Sequence, residues 1–276
     1  MSNRKETTSL LQNDIAACRP LSVLLVEDNP ANRKITALML RNRGHRVTVA
    51  DSGRQALKLF ISGRFDAVLM DIEMPAMNGY QTAAAIRRKE PPSEARTPII
   101  ALTAHVLDGN HHQWTDAGMD AYLTKPFDVD QLISMLESIT NREARNSGNV
   151  GAHAAASADA AGNDRLSPAI DFAAIMRRLE DDKELFHSFV KIFDEDAPKL
   201  LQSILSAAAC EDLTTIRRAA HALRGLAANF DATALAESAC RLELAEADEL
   251  FNTRDELIGK LSDEFARVKE ALSSYR

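Results

Sequence analysis

Two side chains in this sequence can carry a phosphoryl group. Asp71 closes the apolar run FDAVLMD, which sets its carboxylate at the C-terminal tip of a buried strand. His221 sits inside RRAAHALRGLAAN, a helical pattern with arginines about a turn away on either side. A carboxylate acceptor and an imidazole acceptor in tandem suit a chain through which phosphate passes without being consumed. The sequence offers no DxGxG-type loop for a nucleotide, and its 11 glycines are too few to build one.

Other polar residues cluster at strand ends in the same way. Glu27 and Asp28 follow LLV directly, Thr103 ends IIALT, and Lys125 follows AYLT with Pro126 next to it. In a sheet of order 2-1-3-4-5, strands one and three are neighbours at the topological switch point, so Glu27, Asp28 and Asp71 converge in one crevice. Three carboxylates repel one another, and a hard, oxygen-seeking dication such as Mg2+ resolves the repulsion while leaving positions for phosphate oxygens. The Thr103 hydroxyl and Lys125 ammonium then supply a hydrogen bond and a positive charge to a transferring group. Pro126 is placed to set a cis turn after Lys125.

The elements that position these residues are readable from periodicity. From Leu21 to Thr140, apolar strands (Leu21–Val26, Arg46–Ala50, Phe65–Met70, Pro98–Leu102, Ala121–Leu123) alternate with helical patterns (Pro30–Arg43, Gly53–Ser62, Asn78–Lys89, Val106–Ala117, Val129–Thr140). Five βα units predict a flavodoxin-like, doubly wound, five-stranded parallel sheet over 21–140, preceded by an N-terminal tail or connector over 1–20. The stretch 141–167, rich in Ala, Gly, Ser and Asn, reads as a flexible linker with a reach of roughly 25–30 Å. Residues 168–276 are helical throughout, with segments Ile170–Leu179, Lys183–Cys210, Leu213–Asn229, Ala232–Leu250 and Arg254–Ser273, and predict an all-α four-helix-type bundle.

The chain has 276 residues, enough for two domains, and a net charge of −7 that argues against a nucleic-acid surface. Cys18, Cys210 and Cys240 form no CxxC pair, so neither disulfide nor zinc is expected. No run reaches the ~18 apolar residues that span a bilayer, and a cytoplasmic location without membrane insertion follows as an expectation.

In the helical half, Leu213, Ile216, Ala220, Leu223 and Ala227 trace the stripe expected to face the core, leaving His221 displaced from it and accessible. Gly225 lies one turn on, at a cost of about 1 kcal/mol relative to Ala, which makes sense where a bulky partner must approach closely. Arg217, Arg218 and Arg224 surround the histidine and are expected to offset phosphate charge. An imidazole with a pKa near ~6.5 is substantially neutral, and so nucleophilic, at physiological pH.

The motifs together resemble two families. Residues 21–140 resemble a CheY-like response-regulator receiver domain, with the acidic pair Glu27-Asp28, Asp71 in MDIEMPAMNGY, Thr103, Tyr122 and Lys125-Pro126. The resemblance implies that Asp71 is the phosphoacceptor and that Thr103 and Tyr122 are switch residues. It also implies that Mg2+ is held by Asp28, Asp71 and the Glu73 backbone carbonyl, with Glu27 assisting. Residues 168–275 resemble a histidine phosphotransfer (HPt) domain, with His221 as its phosphoacceptor and Arg224 and Gly225 in support. Arg224 stands where Lys is commoner. Asp231 stands where Gly usually closes the next turn, and is expected to cap the helix that follows. The pairing implies a phosphorelay between an upstream histidine kinase and a downstream receiver, with phosphotransfer activity but no ATP-binding kinase domain. Two other readings are a C-terminal part of a hybrid sensor histidine kinase and a phosphorylation-gated binding module or phosphate sink.

Overall fold

A computed structural model of the chain describes residues 19–91, 95–104, 111–143 and 168–275. The expected N-terminal tail, except for its last two residues, and nearly all of the expected linker lie outside these residues. Among those described, β1 (Ser22–Val26), α1 (Pro30–Asn42), β2 (Arg46–Ala50), α2 (Gly53–Ser62), β3 (Ala67–Asp71), α3 (Gly79–Arg87), β4 (Ile99–Thr103), α4 (His111–Asp116), β5 (Ala121–Thr124) and α5 (Val129–Glu143) alternate along the first half. The strands form one parallel sheet of order β2-β1-β3-β4-β5. This is the expected topology, and it sets β1 beside β3 at the switch point.

Side-chain alternation builds the layers. Val23 and Leu25 point to the face covered by α1 and α5, while Leu24 and Val26 point to the face of α2 and α3; all four are fully buried. Every residue of β3 and β4 is buried, as befits strands covered on both faces. Local chemistry starts the helices. The Asn29 side chain accepts from the Ala31 N–H with Pro30 at the first helical position of α1, and Asn78 and Gln81 form a reciprocal capping box on α3. The loop from β3 to α3 depends on Gly79, because a Cβ there would lie 2.3 Å from the Asp71 carbonyl oxygen. That close approach folds the loop back over the end of β3, where Asp71 sits.

The second half holds α6 (Phe172–Arg178), α7 (Lys183–Ala209), α8 (Leu213–Ala228), α9 (Thr233–Leu244) and α10 (Ala247–Ser273). Phe189, Phe193 and Phe230 are fully buried at its centre, and Phe193 stacks on Phe265. Asp171, Asp182 and Asp212 cap α6, α7 and α8 through their side chains. Two expectations need correction here. The break before the last helix falls at Ala245–Glu246 and not after Leu250; neither Gly nor Pro marks it, and the Ala245 carbonyl is held by the Arg217 side chain at 2.8 Å. Asp231 does not cap α9, whose first turn has no side-chain cap. It instead takes up the left-handed backbone (φ 47°) that glycine favours, while its carboxylate pairs with Arg178 at 2.8 Å.

The two halves pack directly against each other. Helix α1 lies on α7 and α8, and the apolar cluster under α1 and α5 runs on into the helical core. No helix among the described residues is long and apolar enough to cross a membrane.

Candidate phosphotransfer site

The C-terminal edge of the sheet gathers the carboxylates. Ligand-capable atoms of Glu27, Asp28 and Asp71 lie within 4.8 Å of one another, and Glu27 and Asp71 are almost wholly buried. Lys125 reaches across them, its Nζ 2.5 Å from Glu27 Oε2 and 2.9 Å from Asp71 Oδ2. Its backbone N–H donates to the Thr103 carbonyl at 2.7 Å, and the Lys125–Pro126 peptide is cis. Burial pushes the Glu27 carboxyl up to about 8, with the Asp71 charge adding and Lys125 opposing. Burial works against the Lys125 ammonium, but the two carboxylates outweigh it and hold the group above its ordinary value. Burial, and then the Asp71 charge, also raise the Asp28 carboxyl.

One lysine does not satisfy this crevice. Asp28 Oδ1 is buried and finds no hydrogen-bond partner among the described residues. An orphaned carboxylate oxygen beside two more carboxylates is the donor set of a hard cation with oxygen ligands. Thr103 is buried at the end of β4, and Tyr122 is buried against Trp114 at a ring distance of 5.8 Å.

The second half brings its own cluster to the same place. His221 Nδ1 lies 2.9 Å from Glu243 Oε1, across the α8–α9 pair. A carboxylate only accepts, so the Nδ1–H donates to Glu243 and Nε2 keeps its lone pair. That hydrogen bond raises the imidazole above its ordinary value; burial opposes the shift and the Glu243 charge reinforces it. Arg224 lies 3.1 Å from Glu243 Oε2 and 3.5 Å from Glu73 Oε2. The Glu73 carboxylate also stands 3.6 Å from His221 Nδ1, so its side chain faces the histidine and not the carboxylate crevice.

The two clusters share a cavity of about 160 Å3, lined by Asp71, Lys125, His221, Arg224 and Gly225 among others. His221 is therefore enclosed more than the helix pattern suggests, with its side chain 28% exposed. Gly225 faces the receiver half: a Cβ there would lie 2.7 Å from Asn32 Nδ2. Asn29 Nδ2 donates to the Ala222 carbonyl at 2.8 Å, and Asn229 Nδ2 donates to Asn32 Oδ1 at 3.1 Å.

Not all the expected residues join this cavity. Arg217 turns to the Ala245 carbonyl and serves the end of α9, and Arg218 is exposed outside the cavity lining. Glu243, Asn29 and Asn32 escaped the sequence reading. A signal for Glu243 existed: in an antiparallel hairpin turning at Asn229–Ala232, equal counts from the turn bring Cys240 opposite His221, and Glu243 follows at i+3 on the same face.

Family comparisons cover both halves of the chain. Residues 23–137 match the model of the response regulator receiver domain, and residues 188–271 match the Hpt domain. The chain carries a receiver domain followed by an Hpt domain. Those are the parts of a phosphorelay, and the curated relatives that the chain matches are histidine kinases. The sensor histidine kinase GacS of Pseudomonas protegens is 39% identical over 46% of this chain and 14% of its own length. The signal transduction histidine-protein kinase BarA of Escherichia coli is 38% identical over 42% of this chain and 12% of its own. The chain thus spans less than a fifth of the length of these relatives. Among solved structures, the receiver domain of sensor histidine kinase PA1611 from Pseudomonas aeruginosa is 41% identical. It covers 45% of this chain and 99% of its own, with a TM-score of 0.41, and has a magnesium ion coordinated in its active site cleft.

Proposed function

We propose that Asp71 accepts a phosphoryl group from an upstream histidine kinase and hands it to His221 of the same chain, from which a downstream receiver takes it. The observation carrying this reading is the single cavity that Asp71 and His221 both line, with Lys125 and Arg224 on its walls. The His221 Nε2 lone pair attacks phosphorus, an N–P bond forms, and the P–O bond to the Asp71 carboxylate breaks with that carboxylate as leaving group. The Nδ1 proton stays on the hydrogen bond to Glu243. Lys125 neutralises the departing carboxylate, and Arg224 stands beside the attacking ring to offset the oxygens it receives. Thr103 contributes its hydroxyl to the phosphoryl group, and Thr103 and Tyr122 report the phosphorylated state.

The crevice fits Mg2+ held by Asp28 and Asp71, with Glu27 and the Glu73 carbonyl in support. When bound, the ion supplies charge neutralisation at the phosphoryl oxygens. Protons and cation compete for the same raised carboxylates, which gives a measurable sign. Saturating Mg2+ is expected to stabilise the chain by about 2–3 kcal/mol at pH 8, and by clearly less at pH 5, where Glu27 holds its proton. Thermal unfolding at both pH values checks this, and an equal gain at both would remove Glu27 and Asp28 from the ion's surroundings.

The Glu243 hydrogen bond has a pH signature too. Because it raises the folded-state pKa of His221, its stabilisation is present below ~6.5 and is lost as pH rises through the raised value. The neutral ring is the nucleophile, so transfer from Asp71 is expected to accelerate over that same rise. Glu243→Gln keeps an acceptor but drops the charge, and is expected to move the inflexion in the transfer rate to lower pH. An unmoved inflexion would show that the pair does not control the ring.

The function itself is tested with radiolabelled phosphate on the intact chain, separating base-labile aspartyl phosphate from acid-labile phosphohistidine. Label is expected first on Asp71 and then on His221, at a rate independent of chain concentration. Label on neither residue from any competent donor defeats the relay, and a rate proportional to concentration defeats transfer within one chain.

A further inference from the structure

Outside the shared cavity, two ion pairs cross between the receiver and the Hpt domain among the described residues, one from α1 and one from Arg43 at its C-terminal cap. Lys34 Nζ lies 2.6 Å from Asp196 Oδ2 on α7, and Arg43 pairs with Glu180 in the turn before α7. We propose that Lys34 and Asp196 form the pair that selects this chain's own Hpt domain as the partner of its receiver. The inference rests on the phosphorelay reading and names the residues that decide which domain enters the crevice.

The Arg224–Glu73 pair belongs to the phosphotransfer cavity itself, and the remaining contacts across this boundary discriminate poorly. Asn29 donates to a main-chain carbonyl, an acceptor any helix offers, and Asn32 with Asn229 is a neutral amide pair. The apolar cluster running from α1 into the bundle carries no sign. Arg43 and Glu180 are each about a third exposed, at 34% and 37%, so solvent screens them. Asp196 differs: Lys34 is itself 45% exposed, but the Asp196 side chain is only 9% exposed in the docked chain although it sits on the surface that meets α1. A like charge opposite a carboxylate that dry is costly, so a receiver with an acidic residue at the position of Lys34 is rejected.

Asp196 also has a second cation. Lys199, one turn along α7, lies 3.2 Å from Asp196 Oδ1. When the domains part, the Asp196 carboxylate keeps this partner, so opening does not strand an unpaired charge. The pair can therefore favour the right receiver without locking the domains together, which a relay that must serve a second receiver requires.

Charge reversal in the full chain tests the assignment. Lys34→Glu is expected to slow passage of label from Asp71 to His221 by roughly 10- to 100-fold, while loading of Asp71 from acetyl phosphate stays unchanged, since Lys34 lies outside the cavity. Asp196→Lys is expected to act alike, and Lys34→Glu with Asp196→Lys to restore most of the rate. Small-angle scattering on the same proteins reads docking without any transfer: wild type and the double variant compact, each single variant expanded. Circular dichroism separates an undocked chain from a misfolded one. Restoration by the double variant in scattering supports the pair even if wild type passes no label, an outcome that would defeat the relay reading alone. Single variants as compact as wild type, or a double variant no better than they are, overturn it.

Discussion

A full chain carrying Gly225→Met is expected to load Asp71 from a small acyl phosphate at the wild-type rate and to pass almost nothing to its own His221. Even a bare Cβ at position 225 would lie 2.7 Å from Asn32 Nδ2 and 3.6 Å from Asn29 Nδ2, so a longer side chain must push the start of α1 away from α8. An error of about 1 Å in the placement of reacting groups costs on the order of 100-fold in rate, and methionine demands more than that. The helix itself gains, because glycine in a helix interior costs about 0.5–1 kcal/mol relative to a good helix former. The variant should therefore melt no lower than wild type while losing transfer, a combination that a folding defect does not produce. Gly225→Ala is the graded control: the Asn32 amide can rotate aside, losing its bond from Asn229, and a partial loss is expected. Rapid-quench transfer kinetics beside calorimetric melting decide it. Wild-type transfer in Gly225→Met would mean that the docked arrangement is not the reactive one.

Lys125→Met is the second large effect, and it falls on both stability and rate. The lysine stands 2.5 Å from Glu27 and 2.9 Å from Asp71, and both carboxylates are buried. Removing one member of a buried, hydrogen-bonded charge group costs about 3–5 kcal/mol. Without added divalent ion that cost is expected at pH 8 and shrinks toward pH 5. Burial already holds the Glu27 carboxyl near 8, and protonation there relieves the unpaired charge. The sign follows from linkage: a carboxyl raised in the folded state destabilises the fold as pH climbs through its raised value. In the transfer step, loss of one preorganised positive group should slow loading of Asp71 by roughly 100- to 1000-fold. Urea unfolding at the two pH values and label uptake measure the two effects. A variant equally stable at both pH values would show that Lys125 is not what compensates Glu27.

Much of the receiver domain was legible because its signals are local. Each apolar strand ends at a polar residue, and parallel right-handed connections force all those ends to one edge. Glu27, Asp28, Asp71, Thr103 and Lys125 therefore come together from sequence order alone. Asn78 with Gln81 and Asp212 with Thr215 announce helix starts through side chains that reach only a few residues. The α9–α10 break was not legible for the converse reason. AEADEL favours helix throughout, and the chain turns at Ala245 where Arg217, distant in sequence, holds its carbonyl. Asp231 misled in a similar way: aspartate both caps helices and tolerates left-handed backbone, and Arg178 from another helix accompanies the second use.

By itself, then, the sequence singled out Asp71 and His221 as the candidate acceptors, the βα order that exposes one, and the helix that carries the other. Only the tertiary structure decided what each candidate meets. It set Glu243 against His221 Nδ1, sent Arg217 away from the site and Arg224 into it, and turned the Glu73 side chain toward the histidine. It also brought Gly225 against Asn32 so that Asp71 and His221 line one cavity. Strand ends obey chain-local rules of direction and alternation, whereas contacts between an α/β sheet and a helical bundle depend on packing between surfaces that no sequence period connects.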